Sequence, residues 1–410
     1  MADELLPNLF RTEYRKIVSV LGKRFGIDRL EIAEDIVSDT FLTAANTWGI
    51  KGYVPPNPTA WLYNVAKNKA INYLEHQQVF DKKIAPKLKR QSSNIDEFSI
   101  DLSPQNINDS QLQMMFAVCH PSIPVEAQIG LSLRVLCGFG IDEIADAFLA
   151  DKDTINKRLF RAKQKLREEK VTIAMPGTEE LESRLQTVLR TIYLFFNEGY
   201  HSVSQNISLR KDICFEAIRL CYMLVENTST NTPDANALLS LMCFHASRFD
   251  ARVDENGEQI LYEEQDTTRW DTDLIRRGEY FLNISATGNR LSKYHVEAAI
   301  AYWHTNKADT TEKWENILYL YNELLMIEYS PVAALNRTYA VSKVHGKEKA
   351  IGEAKKLELT DNHFYFALLG ELYTGIDNRE ASKNLEIALS MAKSISDKKT
   401  IRKKIDKLSA

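Results

Sequence analysis

GLSLRVLCGFGIDEIADAFLADKDTINKRLFRAKQKL, residues 130–166, reads as two short helices joined by a tight turn, the second dense in Lys and Arg. Ile144, Ala145 and Phe148 give the first helix an apolar face. Asp151 is placed to cap the second, whose inward stripe is Ile155, Leu159, Ala162 and Leu166, spaced i, i+4, i+7, i+11. The opposite face presents Lys152, Thr154, Asn156, Lys157, Phe160 and Arg161. Amide and cationic side chains on the outer face of a second helix are what contact with base edges and phosphates in the major groove requires.

The remaining chain gives this pair of helices its context. At 410 residues the sequence is long enough for two to four domains, and its 44% hydrophobic content is that of a globular protein. A formal net charge of −4 excludes a uniformly basic coat. Positive charge is instead local: residues 152–170 hold 8 basic against 3 acidic side chains. The five cysteines are odd in number and form no CxxC pair, which points to reduced thiols. The amino-terminal MADELLPNLF lacks the basic and apolar regions of a signal peptide, and no run of 18 apolar residues occurs. A cytoplasmic protein without membrane spans is expected.

Almost every apolar pattern has helical period, so an all-α fold is expected. A first helical unit spans 7–76, a polar linker 77–110, and a second unit, holding the two-helix motif, 111–172. The linker is long enough to let these units sit far apart. Pro176-Gly177 marks the next boundary, and 178–410 reads as a larger, mildly acidic helical region. Near its end Leu335, Asn336 and Tyr339 recur 34 positions later as Leu369, Gly370 and Tyr373, each set followed by a helix of small residues. That is the tetratricopeptide period.

In the first unit, residues 31–48 form a strongly amphipathic helix. Val37, Phe41, Ala44 and Trp48 lie on one side, and Glu31, Asp35, Ser38 and Asp39 on the other. The acidic side is either a solvated face or a dock for a basic partner. After a loop holding Tyr53, the helix TAWLYNVAKNKAINYL places Asn64, Lys67 and Asn68 together at i, i+3, i+4. Two amides and a lysine beside an aromatic residue suit edge contacts and stacking with bases, or an ordinary polar face.

Taken together these stretches resemble one family. EDIVSDTF (34–41) is similar to the region 2.2 helix of sigma-70-type factors, NPTAWLYNVAKNKAINYL (57–74) to regions 2.3–2.4, and residues 138–167 to region 4. Lack of the regions between them resembles the extracytoplasmic-function (ECF) group. FAVCHPSIP (116–124), IYLFFNEGY (192–200), EEQDTTRWD (263–271), YHVEAAIA (294–301) and SPVAALNR (330–337) resemble ECF factors with a long carboxy-terminal, tetratricopeptide-like extension. The resemblance implies a non-catalytic specificity subunit with core RNA polymerase and promoter DNA as partners. Asp35, Ser38, Asp39 and Phe41 would dock on the β′ clamp helices, with the β flap as a further contact. Tyr53, Asn64, Lys67 and Asn68 would open and read the −10 element. Lys152, Thr154, Asn156, Lys157, Phe160 and Arg161 would enter the −35 major groove. The extension would control or complete this activity, through contact with the sigma domains or with polymerase.

Neither an enzyme nor a cofactor protein is expected. His245, Asp250, Arg252, Asp254, Glu264, Asp266, Arg269 and Asp271 crowd into 27 positions, but their spacings match no metal-ligand motif. Ion pairs and hydrogen bonds between helices are the expected use. Cys119-His120 has no second ligand pair at a suitable distance and is expected to pack. The competing functional class is a helical scaffold, in which the two-helix motif merely packs and the repeats bind partners.

Overall fold

The computed structural model describes residues 2–50, 54–84, 100–148, 150–200, 210–254 and 260–409. Among these are eighteen α-helices and no β-strand, the all-α class expected. The chain divides into two compact units, Met1–Leu194 and Phe195–Ala410.

In the first unit α1 (Ala2–Phe25) buries Tyr14, Ile17, Val18 and Leu21, one continuous helical stripe. It ends at Gly26, whose φ of +83° suits glycine and turns the chain into α2 (Leu30–Ala44). Leu30, Ala33, Val37, Phe41 and Ala44 form the inner face of α2. A π-helical turn, Ala45–Ile50, extends α2 and seats Trp48 edge-on against Trp61, ring centroids 5.1 Å apart. The helix α3 (Pro58–Ile84) starts with proline at its first position, and Asn57 Oδ1 accepts from the Ala60 amide at 3.0 Å.

The segment expected as a linker over 77–110 is shorter than that. The helix α3 runs on to Ile84, and α4 (Pro104–Val118) begins at a Ser103 N-cap followed by proline. Nor do the two helical stretches sit apart, because α4 lies against α1. Gly22 makes that approach possible: a Cβ there would meet Met114 Cε at 2.5 Å. Next come α5 (Val125–Leu131), a π-helical turn (Ser132–Leu136), α6 (Ile141–Phe148) and α7 (Lys152–Glu168).

Most of α8 (Thr178–Tyr200) also belongs to this unit, so the division falls at 194 rather than at Pro176-Gly177. Packing explains the shift. Leu185, Val188 and Leu189 are buried, Arg184 donates to the Phe116 carbonyl at 2.6 Å, and Thr191 Oγ1 donates to Gln128 Oε1 at 2.7 Å.

The second unit continues with α9 (Lys211–Glu226) and α10 (Pro233–Ala246), whose residues are buried on nearly every side, the mark of a central helix. Against it pack α11 (Thr272–Ser285) and α12 (Lys293–Trp303). Then follow α13 (Thr311–Ile327), α14 (Pro331–His345), α15 (Lys347–Lys356), α16 (His363–Tyr373), α17 (Asn378–Met391) and α18 (Ile395–Ser409). Of the repeated positions Leu335 and Leu369 are buried, Tyr339 and Tyr373 half-buried and Asn336 exposed, while Ala350, Ala354, Ala381, Leu385 and Ala388 of the following helices are buried. Gly370 lets α17 close on α16, since a Cβ there would meet Leu385 Cγ at 2.6 Å.

Residues of the polar 245–271 stretch act within the fold. Asp271 caps α11, accepting from the Asp273 and Leu274 amides at 2.9 Å, and Asp266 accepts from the Thr268 amide and hydroxyl. Asp250 pairs with Lys211, and Arg252 lies over the Tyr200 ring, 3.9 Å from its centroid. No group of three or more His, Cys, Asp or Glu among the described residues is placed to hold a metal. Among those residues no helix is long and apolar enough to cross a membrane.

Candidate functional site

The residues singled out in the sequence fall on three helices of the first unit. On α2, Asp35, Ser38 and Asp39 are exposed, and Leu42, at 59% exposure, continues their line one turn further. Phe41 points the other way. It is 4% exposed, with its ring 5.0 Å from that of Phe10 and 6.4 Å from that of Tyr14. It therefore supports the α2 face from beneath. Tyr14, below the same helix, has its phenol pushed up to about 12 by burial.

Lys69 ties α3 to α2. Its ammonium pairs with the Asp39 carboxylate and donates to the Asp39 carbonyl at 3.0 Å and to Thr43 Oγ1 at 2.8 Å. On α3 the inward residues are Leu62, Ala66 and Ala70. Asn64 and Asn68 are exposed and Lys67 half-buried, so the amide-lysine group does share the outer face. Tyr53 lies outside the described residues.

The helices α6 and α7 are separated by a three-residue turn and held by local caps. Gly140 is the N-cap of α6. It has no side chain to satisfy the helix amides, but Glu143 reaches back and accepts from the Gly140 amide at 2.7 Å, half of a capping box. Asp151 caps α7, accepting from the Thr154 amide at 2.8 Å and the Thr154 hydroxyl at 2.6 Å. Those two bonds hold the Asp151 carboxyl below its ordinary value. Thr154 thus gives its hydroxyl proton to the cap.

Ile155, Leu159, Ala162 and Leu166 are buried, as their spacing required. Gly130 of α5 allows α7 to lie close, since a Cβ there would meet Leu159 Cδ2 at 2.9 Å. The outer face carries Lys152, Asn156, Lys157, Arg161 and Phe160, all exposed, Phe160 by 61%. Lys152 pairs with Asp142 of α6 at 2.8 Å. Lys157 and Arg161 make no ion pair among the described residues, so their charges are directed at solvent.

One constellation escaped the sequence reading. Glu34, although within the acidic helix, is buried at 7% exposure. Its Oε1 accepts from Arg134 Nε at 3.0 Å and its Oε2 from Lys163 Nζ at 2.5 Å. Glu31, one turn earlier, pairs with Arg167 and lies 3.7 Å from Lys163. Lys163 is itself only 8% exposed. Its position, four residues after Leu159 on the edge of the apolar stripe, was the available signal. A lysine there needs a carboxylate partner.

Residues 9–79, which comprise most of α1 and all of α2 with most of α3, match the family model for sigma-70 region 2. Residues 184–286 match a family of unknown function (DUF6596). An uncharacterized protein of Rhizobium meliloti (strain 1021) is 30% identical over 390 residues, which cover 93% of this chain and 91% of that protein. No solved structure matches the chain. With region 2 matched, the chain belongs to the sigma-70 family, non-catalytic factors of transcription initiation whose region 2 contacts core RNA polymerase.

Proposed function

We propose that this chain is an ECF-type sigma factor that carries core RNA polymerase to promoters with separate −10 and −35 elements, and that its carboxy-terminal helical region regulates the process. The observation that carries the reading is the solvent-facing placement, in one compact unit, of an acidic stripe and two amide- and cation-bearing helix faces. Asp35, Ser38 and Asp39 form the polymerase dock, with Phe41 as their internal support. Asn64, Lys67 and Asn68 meet the −10 strand, where bases freed from the duplex are held by edge contacts and stacking. Asn156, Lys157, Phe160 and Arg161 read the −35 groove, flanked by Lys152 and by the Asp151–Thr154 cap. In such a factor the protein itself performs no covalent chemistry. It positions polymerase and captures single-stranded DNA. The site of action is the cytoplasm, where polymerase and promoter DNA are.

The carboxy-terminal helix hairpins α14–α15 and α16–α17, with small buried residues at matching positions, support a tetratricopeptide-like role in partner contact or control. Purified protein added to core polymerase is expected to yield start-site-specific transcripts. Asp35→Lys with Asp39→Lys should abolish polymerase capture in a pull-down, and capture that survives both changes would exclude this dock. A chain ending at residue 200 tests the regulation. Higher transcription than the full chain means restraint by the missing region, and lower transcription means a required contact. Equal transcription would remove the regulatory claim.

A further inference from the structure

In the second unit two cations are buried without a carboxylate of their own. Arg248, just after α10, is 9% exposed, and Lys313, in the first turn of α13, is 2% exposed. Neither makes an ion pair among the described residues. Lys313 Nζ donates to the Asn306 carbonyl at 2.5 Å and to Tyr262 Oη at 3.1 Å, both neutral acceptors. The carboxylates whose fields reach Lys313 are Asp309 and Glu263. Asp309 is engaged by Lys343 at 3.0 Å and by the Trp314 indole, and Glu263 bonds Tyr339. One ring organises the group. Arg248 Cζ and Lys313 Nζ lie 5.5 and 5.3 Å from the Tyr262 centroid, and the rings of His304 and Trp270 lie 5.2 and 6.2 Å from it. Four buried polar atoms of this neighbourhood are unpartnered among the described residues: Arg248 Nε, Trp270 Nε1, His304 Nδ1 and Gln265 Oε1. Burial, reinforced by Arg248 and Lys313, pushes His304 down to about 3, so its imidazole is neutral and adds no third positive charge.

Buried polar atoms ordinarily have partners, and a buried cation without one is costly. Guanidinium, ammonium and indole N–H groups can only donate, so what the cluster lacks is negatively charged acceptor oxygen. We propose that the Arg248–Tyr262–Trp270–His304–Lys313 cluster is a binding site for a small oxyanion, a phosphate or a carboxylate, held by the Arg248 guanidinium, the Lys313 ammonium and the Trp270 indole N–H. The site stands apart from the sigma-factor reading, because no residue of the first unit takes part in it. Directed N–H donors beside a guanidinium select an oxyanion over a halide. Gln265 Oε1 is an acceptor and is met by an O–H on the same ligand, which hydrogen phosphate and hydroxy acids both carry. One bound anion then ties the end of α10, the segment holding Tyr262 and Trp270, and the start of α13 to a single charge, and so stabilises the second unit.

Calorimetric titration of the full-length protein with inorganic phosphate and with lactate, in chloride buffer of matched ionic strength, tests this. Saturable binding at one site is expected for at least one of the two anions, and the one that binds tells phosphate from carboxylate. Lys313→Met and Arg248→Met, which keep an apolar stem and remove the charge, should each weaken binding about tenfold or more. In chloride alone Lys313→Met should melt no earlier than the parent, since it no longer buries an unpaired ammonium. Lys356→Met, on the exposed surface of α15, is the control and should leave affinity unchanged. If Arg248→Met does not fold, Trp270→Phe, which removes the indole donor, takes its place with the same expected loss. Folded protein that binds neither anion saturably would overturn the site. So would affinity that survives both cluster variants, or that falls equally in Lys356→Met.

Discussion

The Glu34 carboxylate lies 2.5 Å from Lys163 Nζ across 129 positions of sequence, and both side chains are buried. Two charges removed from water are tolerable here because each meets the other with good geometry and Glu34 has a second donor in Arg134. The pair joins a helix of the region 2 match to α7, and so couples the two halves of the first unit.

Breaking that pair from one side should be costly. Lys163→Ala leaves Glu34 buried with Arg134 as its remaining cation, and a loss of about 3 kcal/mol in the stability of the first unit is expected. The double replacement Glu34→Leu with Lys163→Leu should cost less than either single alanine change, since the buried ammonium leaves with its carboxylate and the half-buried Arg134 keeps its bond to the Phe139 carbonyl. Urea unfolding of the three variants measures this. A double variant weaker than both singles would contradict it.

The cap of α7 carries an acid-sensitive term. The Asp151 carboxyl is held below its ordinary 3.8 by hydrogen bonds from the Thr154 hydroxyl and amide. A depressed carboxyl contributes its stabilisation above the unfolded-state value and loses it as pH falls through the lower, folded value. Fraying of the first turn of α7 is therefore expected only below about pH 4. Amide exchange at Thr154 should report it. In Asp151→Asn, which retains a cap but cannot titrate, the acid-induced fraying should be absent.

Lys157 and Arg161 are exposed and free of ion pairs among the described residues, so replacing them should spare the fold and weaken DNA contact. Each alanine variant is expected to lower transcription from a −35-dependent promoter about tenfold, the effect of losing one contact worth about 1–3 kcal/mol. Thermal melting should be unchanged within about 0.5 kcal/mol. Wild-type transcription by the double variant would remove α7 from promoter reading.

Gly278 on α11 is a packing requirement. A Cβ there would meet the Phe244 ring at 2.5 to 2.9 Å, and Ser240 Oγ already bonds the Gly278 carbonyl at 2.7 Å. A rigid, fully buried ring near the carboxy-terminal end of α10 cannot swing aside cheaply. Gly278→Ala should destabilise the second unit by about 1–3 kcal/mol, seen as an earlier calorimetric transition, with the first unit unaffected.

Periodicity and capping determined much of this protein from sequence alone. The buried stripe of α7, the Asp151 cap and the exposure of Asn64, Asn68, Asn156, Lys157 and Arg161 all follow from residue types and spacing along single helices. Local rules suffice there because a helix sets its own faces. Phe41 satisfied two readings at once, as core residue and as docking residue, and only its packing against Phe10 and Tyr14 decided between them. The same is true of α4 against α1, of α8 as far as Leu194, and of Glu34 with Lys163. Each depends on which distant segment arrives opposite it, and no pattern within one helix encodes that. Whether an acidic helix face meets solvent, a partner or a lysine from the far end of the unit is a tertiary question, because the charge is identical in all three cases and only its neighbour differs.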